Sequence, residues 1–212
     1  MSGQLSDPSR WEHRYAKDDI PWDLGTPDPY LQAFVADYSV ASGSVLEIGC
    51  GTGTNAAWMA QRGLDVYATD VSPTAVQRAK ETLQQAGVRC TVERLDFLND
   101  PLPARTFDVL YDRAVFHVFQ NLTERERFVQ RSAQVLKPGG LWHSLLGSTD
   151  GPERDVGPPR RSAVEITAAI EPYFEILTLN AVAFDQGRFG DVRAWNFVGR
   201  RRTRDDDTMV IP

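Results

Sequence analysis

Short apolar runs alternate with segments of helical periodicity over residues 44–140 of the chain. The runs that predict strands are 45–48, 65–69, 90–95, 107–111 and 141–146. Two longer apolar runs, 174–184 and 192–199, follow and are joined by a turn-rich segment, 185–191. Repeated strand–helix units are typical of a parallel sheet, and the last two runs predict a hairpin. We therefore expect an α/β fold with a mostly parallel seven-stranded sheet, helices on both faces and a C-terminal antiparallel hairpin.

The helix after the second strand has clear signals at both ends. Ser72 is a good N-cap, Pro73 suits the first helical position, and Gly87 suits the residue beyond the last turn. Apolar residues between these ends repeat at helical spacing. They predict a buried stripe of Ala75, Val76, Ala79, Leu83 and Ala86.

Two later helices are predicted by the capping-box pattern, in which Ser or Thr is followed three residues later by Glu. Thr123 with Glu126 predicts the start of the first of them, and Ser162 with Glu165 predicts the start of the second. A further helix is expected to begin near Asn55, directly after a run of glycines.

The length and composition are those of one ordinary globular domain: 212 residues, 42% hydrophobic and 25% charged. We expect this domain to span residues 1–204, with a leader at 1–43 and a core at 44–199. A short tail, 205–212, which begins with three Asp residues, is expected to be disordered.

The charge balance argues against a nucleic-acid partner, because a formal net charge of -6 gives no field that attracts phosphates. The chain has no apolar run of the roughly 18 residues that a membrane span needs, and no signal peptide. Cys50 and Cys90 lack metal-ligand spacing. We therefore expect a cytoplasmic protein with no metal site and no membrane or nucleic-acid partner.

The strongest local chemistry is a glycine loop, Gly49, Gly51 and Gly53, that follows the first strand. Glycines there let the backbone turn tightly and approach a ligand at the carboxyl edge of the sheet. Asp70 ends the second strand about 20 residues later, the spacing of a carboxylate that accepts hydrogen bonds from ribose hydroxyls. The combination predicts a nucleoside-containing cofactor, and a tight turn without a ligand is the alternative.

Glu47 helps to identify the nucleoside. Dinucleotide sites prefer G-x-G-x-x-G, whereas this loop has G-x-G-x-G. A carboxylate two residues ahead of the glycines disfavours a pyrophosphate and suits the ammonium group of an amino acid. A site for NAD is therefore the weaker alternative.

Residues 45–53, Asp70 and the Leu-x-Pro-Gly-Gly segment at 136–140 resemble the class I methyltransferases that use S-adenosylmethionine (SAM). The resemblance implies a Rossmann-like fold and SAM as the cofactor. It also implies that Asp96 accepts a hydrogen bond from the adenine amine and that Phe97 packs on the adenine ring. A turn Asp and a core Phe are the alternative interpretation of that pair.

The leader is similar to that of the thiopurine, thiol and halide methyltransferases, which have two aromatics four residues apart and then Pro-Trp-Asp-x-Gly. Trp11, Tyr15 and Trp22 stand at these positions. The resemblance implies that the three rings contact SAM beneath a lid that excludes water, with cation–π attraction to the sulfonium. Tyr15 departs from the thiol and halide branch, which has Trp there. A leader that only covers a sheet edge is the alternative.

Two further segments match the same branch. Gly-Pro-Pro at 157–159 resembles its loop after the fifth strand, and Asp112 with Arg113 resembles its Asp-Arg pair after the fourth strand. The resemblance implies that Asp112 belongs to the cofactor site and that Arg113 lies in the acceptor pocket, where it would hold an anionic acceptor. An ion pair of Arg113 with an acid, as plain structure, is the alternative.

The resemblance implies methyl transfer to a small molecule, and a thiol is the acceptor that we expect first. A thiol with a pKa of about 8.5 is partly ionised at neutral pH and needs no strong base. A phenol or quinol, with a pKa of about 10, would need one, for which His117 and His143 are the candidates. O-methylation is therefore the main alternative, and methylation of a macromolecule or nucleoside binding without catalysis are minor ones.

Overall fold

A computed structural model describes residues 5–153, 157–184 and 192–203. Its strands are β1 (Ser44–Ile48), β2 (Asp65–Asp70), β3 (Thr91–Arg94), β4 (Phe107–Arg113), β5 (Leu136–Gly147), β6 (Phe174–Ala183) and β7 (Arg193–Arg201). Its α-helices are α1 (Pro8–Ala16), α2 (Pro29–Asp37), α3 (Thr54–Gln61), α4 (Pro73–Gln85), α5 (Leu122–Val135) and α6 (Ala163–Ile170). A short 3₁₀ helix, Phe116–Val118, follows β4. Each predicted strand is present, and β5 begins at Leu136 rather than at 141.

The seven strands form one sheet in the order β3-β2-β1-β4-β5-β7-β6. Strands β1 to β5 pair in parallel, whereas β7 lies antiparallel between β5 and β6. This arrangement confirms the predicted α/β sheet with its C-terminal antiparallel hairpin. The hairpin turn at 185–191 and the tail at 205–212 lie outside the described residues.

The strand order indicates which edge of the sheet can bind a ligand. Strand β1 pairs with β2 on one side and with β4 on the other, so the connections after β1 and β4 diverge. Such a switch point leaves a crevice at the carboxyl ends of the strands. Ile48, at the end of β1, lies opposite Thr69 and Asp112. The glycine loop, Asp70 and the Asp112–Arg113 pair therefore meet at one edge.

Helices cover both faces of the sheet, as the pattern predicts. Successive residues of β1 show this: Leu46 packs into a core with Phe128 of α5, whereas Val45 packs into a second core with Met59 of α3. Alternation of this kind follows from the period of two in a strand. Buried side chains of α6 join the first core, and those of α2 and α4 join the second.

Two predicted sets of helix-end signals are confirmed. The Ser72 hydroxyl accepts a hydrogen bond from the Ala75 amide at 3.0 Å and caps α4, and Gly87 beyond its end has a φ of +67°. Ser162 and Glu165 form the reciprocal capping box that begins α6. Local side-chain chemistry was therefore sufficient to place these ends.

The capping box predicted at Thr123 and Glu126 is wrong. Asn121 caps α5 instead, because its side-chain oxygen accepts a hydrogen bond from the Glu124 amide at 2.8 Å. Asn is a stronger N-cap than Thr, and it stands two residues earlier in the chain. Thr123 consequently lies inside the first turn of the helix.

The leader contains two helices, α1 and α2, that the hydrophobic pattern did not predict. Each has nine residues, an Asp as its N-cap and a Pro at its first position. The caps, Asp7 and Asp28, were visible in the sequence, but helices this short carry little periodic signal. None of the helices in the described part of the chain has the length and apolar character needed to cross a membrane.

Candidate cofactor and acceptor site

A cavity of about 700 Å³ lies at the carboxyl edge of the sheet, between the leader and the core. This volume is typical of a site for a small molecule or cofactor. Most of the predicted site residues line it: Trp11, Tyr15, Trp22, Gly49, Gly51, Asp70, Asp96, Phe97, Arg113 and His117. Four others are absent from its described lining: Glu47, Gly53, Asp112 and His143.

The glycine loop has a backbone that residues with a Cβ rarely adopt. The φ angles of Gly49, Gly51 and Gly53 are +70°, +57° and +84°. A Cβ on Gly53 would lie 2.9 Å from the Cα of Ala79 in α4, and one on Gly51 would lie 2.8 Å from the Tyr15 hydroxyl. Gly53 therefore permits close packing against α4, and Gly51 leaves room between the loop and the leader.

Asp70 connects the end of β2 to the glycine loop. Its Oδ2 accepts a hydrogen bond from the Gly51 amide at 3.0 Å, and its Oδ1 accepts one from the Ser72 amide at 2.9 Å. Burial raises the pKa of Asp70 to about 6, against the lowering effect of these two N–H groups. A carboxylate oxygen has a second lone pair. Asp70 can therefore hold the loop in place and accept hydrogen bonds from a ligand in the cavity.

Glu47 lies behind the glycine loop rather than in the cavity wall. Its side chain is buried, hydrogen-bonds to Asn55, and has an Oε2 with no partner. Burial, and then the nearby Asp70 charge, raise the pKa of Glu47 to about 8. Direct contact of Glu47 with the ammonium group of a ligand remains a prediction. Asn55, its hydrogen-bond partner, does line the cavity.

Asp96 and Phe97 line the cavity beyond β3. Oδ1 of Asp96 accepts hydrogen bonds from the amides of Leu98 and Asn99 at 3.0 and 3.2 Å. Phe97 is buried with its ring 5.0 Å from that of Phe128. Both residues have the structural roles that the alternative interpretation assigns, and both still border the space where an adenine is predicted.

The three leader aromatics form one cluster over the cavity. The ring centroids of Trp11 and Trp22 are 5.5 Å apart, and those of Tyr15 and Trp22 are 5.9 Å apart. The Trp22 indole N–H also donates to the Tyr15 hydroxyl at 3.1 Å. All three rings line the cavity, and aromatic rings suit a sulfonium cation.

Glu12 fastens the leader to the core, a contact that sequence reasoning missed. Its carboxylate accepts hydrogen bonds from the Ser72 hydroxyl at 2.6 Å and from the Thr74 amide and hydroxyl at 3.1 and 2.6 Å. These hydrogen bonds, led by the one from Ser72, lower the pKa of Glu12. The site is the N-terminus of α4, where a negative charge is favoured. The position of Glu12 in α1 carries no sequence signal for this contact, because its partners lie in a distant segment of the chain.

Arg113 lines the cavity and is paired with an acid of the leader. Its Nε donates to Oδ2 of Asp28 at 2.6 Å, and its Nη1 donates to the Trp22 carbonyl at 3.1 Å. The side chains of Arg113 and Asp28 are 9% and 2% exposed, so the ion pair is buried. The guanidinium also lies 5.3 Å from the ring centroid of Phe184. The Asp28 carboxylate thus compensates the positive charge of Arg113, which was predicted to hold an anionic acceptor.

Asp112, in contrast, is fully buried behind the wall. Its Oδ1 accepts hydrogen bonds from the amides of Val115 and Phe116 at 3.2 and 3.0 Å, and its Oδ2 accepts one from the Trp142 indole at 2.9 Å. The carboxylate therefore holds the turn that leads from β4 into the 3₁₀ helix. The geometry gives Asp112 a supporting role and no described contact with the cavity.

His117 lies in the 3₁₀ helix and lines the cavity. Its Nδ1 accepts a hydrogen bond from the Gly147 amide at 2.8 Å. A backbone N–H can only donate, so Nδ1 carries the lone pair and the proton of the neutral ring is on Nε2. The lone pair that a general base would use is therefore already engaged.

His143 is fully buried in β5 and does not appear in the described cavity lining. Its ring stacks between those of Phe34 and Tyr111, with centroids 4.7 and 5.4 Å away, and its Nε2 pairs with Oδ1 of Asn196 at 2.8 Å. Burial lowers the pKa of His143 to about 4. These contacts assign His143 to the core, and they do not support its predicted role as a base.

Comparison with known sequences identifies the family. Residues 45–140 match a family described as a methyltransferase domain. Probable thiol methyltransferase 2 from Arabidopsis thaliana is 34% identical over 161 residues, which cover 73% of this chain and 67% of that protein. The 2-heptyl-1-hydroxyquinolin-4(1H)-one methyltransferase of Mycobacteroides abscessus is 27% identical over 82% of this chain and 81% of that protein.

A solved structure agrees on the fold. A protein studied for the conversion of a disulfide bond into a thioacetal group during echinomycin biosynthesis superposes with a TM-score of 0.80 and 23% identity. The match covers 95% of this chain and 96% of that one. Together with the switch-point cavity and the glycine loop, these relationships show that the chain belongs to the SAM-dependent methyltransferases.

Proposed function

We propose that the chain transfers the methyl group of SAM to the sulfur of a small aromatic thiol. The observation that carries this proposal is the acceptor end of the cavity, where His117 has its basic lone pair engaged by Gly147. A thiol is the acceptor that manages without a protein base, because it ionises near neutral pH. The 34% identical relative is itself a probable thiol methyltransferase.

The proposed position of SAM is based on the residues that line the cavity. Asp70 would accept hydrogen bonds from the ribose, while Asp96 and Phe97 would border the adenine. The glycine loop would lie along the nucleoside, and the leader aromatics would surround the sulfonium. All of these segments line one continuous cavity, which supports the arrangement.

The nature of the acceptor follows from the remaining wall. Several of its side chains are apolar or aromatic and come from distant parts of the chain: Phe119, Pro158, Pro159, Phe184 and Val192. Arg113 adds a donor whose charge Asp28 compensates. A wall of this kind favours a flat, weakly charged molecule over one that carries a carboxylate, and this departs from the anionic acceptor expected from Arg113 alone.

Rate acceleration would come from alignment and exclusion of water. The thiolate sulfur attacks the methyl carbon, the carbon–sulfonium bond breaks, and the electron pair leaves with the sulfur of S-adenosylhomocysteine. Opposite charges cancel in this step, so a cavity that excludes water favours it. The Glu12 contacts keep the leader, and with it the aromatic cluster, over the reacting atoms.

A competition assay tests the acceptor. Thiophenol, phenol and iodide are incubated together with SAM, and the methylated products are separated and identified by mass. We expect thiophenol to be methylated with a kcat/KM at least about tenfold above that of the other two, equivalent to about 1.4 kcal/mol of transition-state binding. A preference for phenol or iodide would overturn the proposal.

O-methylation of a hydroxylated heterocycle is a second candidate. It is favoured by the Mycobacteroides abscessus relative, which aligns with more of this chain than the thiol methyltransferase does. An acidic hydroxyl would also ionise without a protein base. The two candidates separate on matched acceptors: methylation of 1-hydroxyquinolin-4-one but not of thiophenol would favour the second.

A further inference from the structure

Asn55 joins the start of α3 to the leader at the residue that pairs with Arg113. We propose that Asn55 is a positioning residue for the acceptor end of the cavity: it holds Asp28, and through Asp28 it sets the direction of the Arg113 guanidinium. This inference rests on the proposed function, since it needs Arg113 to border the methyl acceptor. It connects the glycine-loop end of the cavity to the acceptor end through hydrogen bonds.

The orientation of the Asn55 side chain follows from its two partners. α3 begins directly after the glycine loop, and Asn55 is its second residue. Oδ1 of Asn55 accepts a hydrogen bond from the Asp28 amide at 2.9 Å. Since a backbone N–H can only donate, the NH₂ group of Asn55 is left for its second partner, Glu47. Glu47 is buried in β1, so the Asn55 amide is bound to the sheet on one side and to the leader on the other.

Asp28 is held at its backbone and at both carboxylate oxygens. Its Oδ1 accepts hydrogen bonds from the amides of Tyr30 and Leu31 at 2.7 and 3.3 Å, which caps α2. Its Oδ2 accepts the hydrogen bond from Nε of Arg113 at 2.6 Å. Because the amide of this buried residue is also bonded to Asn55, Asp28 has little freedom to move. The Arg113 guanidinium therefore has a fixed direction in the cavity wall.

The loss of Asn55 should affect the acceptor more than SAM. Without the Asn55 oxygen, the Asp28 amide loses its partner, and Asp28 can shift together with the guanidinium that it binds. A shift of about 1 Å is enough to slow an in-line displacement, because the reacting atoms must be aligned. Both the oxygen and the NH₂ group of Asn55 have protein partners, so we expect a smaller effect on the binding of SAM.

A double-mutant cycle tests whether Asn55 acts through Arg113. Asn55→Ala should raise the KM of thiophenol about threefold to tenfold, the range of one hydrogen bond, with a smaller change in the Kd of SAM. In a background with Arg113→Met and Asp28→Asn, which removes both buried charges, the same substitution should change this KM by less than about twofold. An equal rise in both backgrounds, or a change in the Kd of SAM as large as that in the KM, would overturn the proposal.

Two further variants separate this role from a general loosening of the leader. Asn55→Asp keeps an oxygen for the Asp28 amide and should recover most of the loss. Gln32→Ala removes a different hydrogen bond of the leader, from the exposed Gln32 side chain to the Pro27 carbonyl at 3.2 Å. Its KM for thiophenol should stay within about twofold of wild type. A rise in Gln32→Ala equal to that in Asn55→Ala would contradict a specific role for Asn55.

A measurement without turnover distinguishes this inference from the proposed function. In ¹⁵N-arginine-labelled protein saturated with S-adenosylhomocysteine, the Nε–H signal of Arg113 is assigned with Arg113→Met, and its exchange with water is measured. We expect exchange about threefold to tenfold faster in Asn55→Ala, with no change at the Nε–H of Arg131, which is bonded to the Phe97 carbonyl.

Unchanged exchange at Arg113 in Asn55→Ala would overturn the positioning role whatever the acceptor is. An equal acceleration at Arg131 would mean that the whole fold has loosened, and would overturn it as well. If thiophenol is never methylated while exchange is faster at Arg113 alone, the acceptor assignment fails and the link from Asn55 to Arg113 stands.

Discussion

The two ends of the cavity are built in different ways. The nucleoside end comes from consecutive strand ends within residues 45–97, and its parts are glycines with positive φ angles and the carboxylate of Asp70. The acceptor end comes from side chains that are far apart in the chain, such as Arg113 and Asp28, which are separated by 85 residues. One end is specified locally, and the other exists only once the leader has folded onto the core.

This difference explains why a methyltransferase family can keep its cofactor and change its acceptor. The glycine loop has little freedom, because its φ angles and its contact with α4 exclude side chains. The acceptor wall depends on single side chains in loops, which can be exchanged while the sheet stays intact. Substitutions at the two ends of the cavity test this contrast.

Removal of Arg113 should have the largest effect. Arg113→Met leaves the buried carboxylate of Asp28 without its partner, and we expect the free energy of unfolding to fall by about 3–5 kcal/mol. Urea denaturation measures this loss, and Asp28→Asn in the same chain should restore much of it. The exposed pair Arg105–Asp65 is the matched control, since Arg105→Met should cost less than about 1 kcal/mol.

The kinetic effect of Arg113→Met should be confined to one end of the cavity. We expect the KM of the acceptor to rise more than the KM of SAM, measured in steady-state assays with each substrate varied in turn. Equal changes in the two KM values would contradict the assignment of Arg113 to the acceptor end of the cavity.

A methyl group added to the glycine loop should have the next largest effect. Gly53→Ala combines an unfavourable φ of +84° with a clash against the backbone of Ala79, and should lower the free energy of unfolding by about 2–4 kcal/mol and weaken SAM binding. Gly63 is a close control, because its φ is +85° and an added Cβ would meet no atom within 4 Å. Gly63→Ala should therefore show the backbone strain alone, about 1–2 kcal/mol, with unchanged SAM affinity.

Asp70→Asn should weaken SAM binding by about 1–3 kcal/mol, the cost of a lost hydrogen bond to a charged group. The wild-type affinity should also fall as the pH drops below about 6, because burial holds the pKa of Asp70 near 6 and the ribose needs the carboxylate form. Calorimetry across this pH range measures both effects. An affinity of Asp70→Asn that follows pH as the wild type does would place the titrating group elsewhere, and Asp65→Asn serves as an exposed control.

The contribution of Glu47 to stability should depend on pH. Its pKa is raised from an ordinary value near 4.5 to about 8, so the folded protein binds this proton more tightly than the unfolded chain does. Its stabilising effect is complete below about pH 4.5 and is lost as the pH rises through about 8. The wild type should therefore lose stability relative to Glu47→Gln as the pH rises through this window. A stability difference between wild type and Glu47→Gln that does not change with pH would contradict the raised pKa of Glu47.

The sequence was sufficient for the sheet and for the position of the glycine loop, because both depend on local signals. The strand ends, the cap at Ser72 and the glycines with positive φ follow from the residues themselves. The cap at Thr123 failed because a better capping residue, Asn121, stood close by. Two capping residues competed for the start of α5, and the helix begins after the stronger one, Asn121.

The parts that the sequence did not reveal are contacts between distant segments. Glu12 on Ser72 and Thr74 and Arg113 on Asp28 join the leader to the core, and no spacing rule links these positions. The separation of His117 from His143 is of the same kind. His117 lies in the 3₁₀ helix after β4 and lines the cavity, whereas His143 lies within β5 and its side chain is in the core.

A crystal structure with S-adenosylhomocysteine and thiophenol bound would test the central claim most directly. We predict the nucleoside along the glycine loop with its ribose on Asp70, and the thiol sulfur between the leader aromatics and the wall formed by His117 and Phe184. A nucleoside bound away from Asp70, or a thiol seated outside the wall formed by His117 and Phe184, would contradict it.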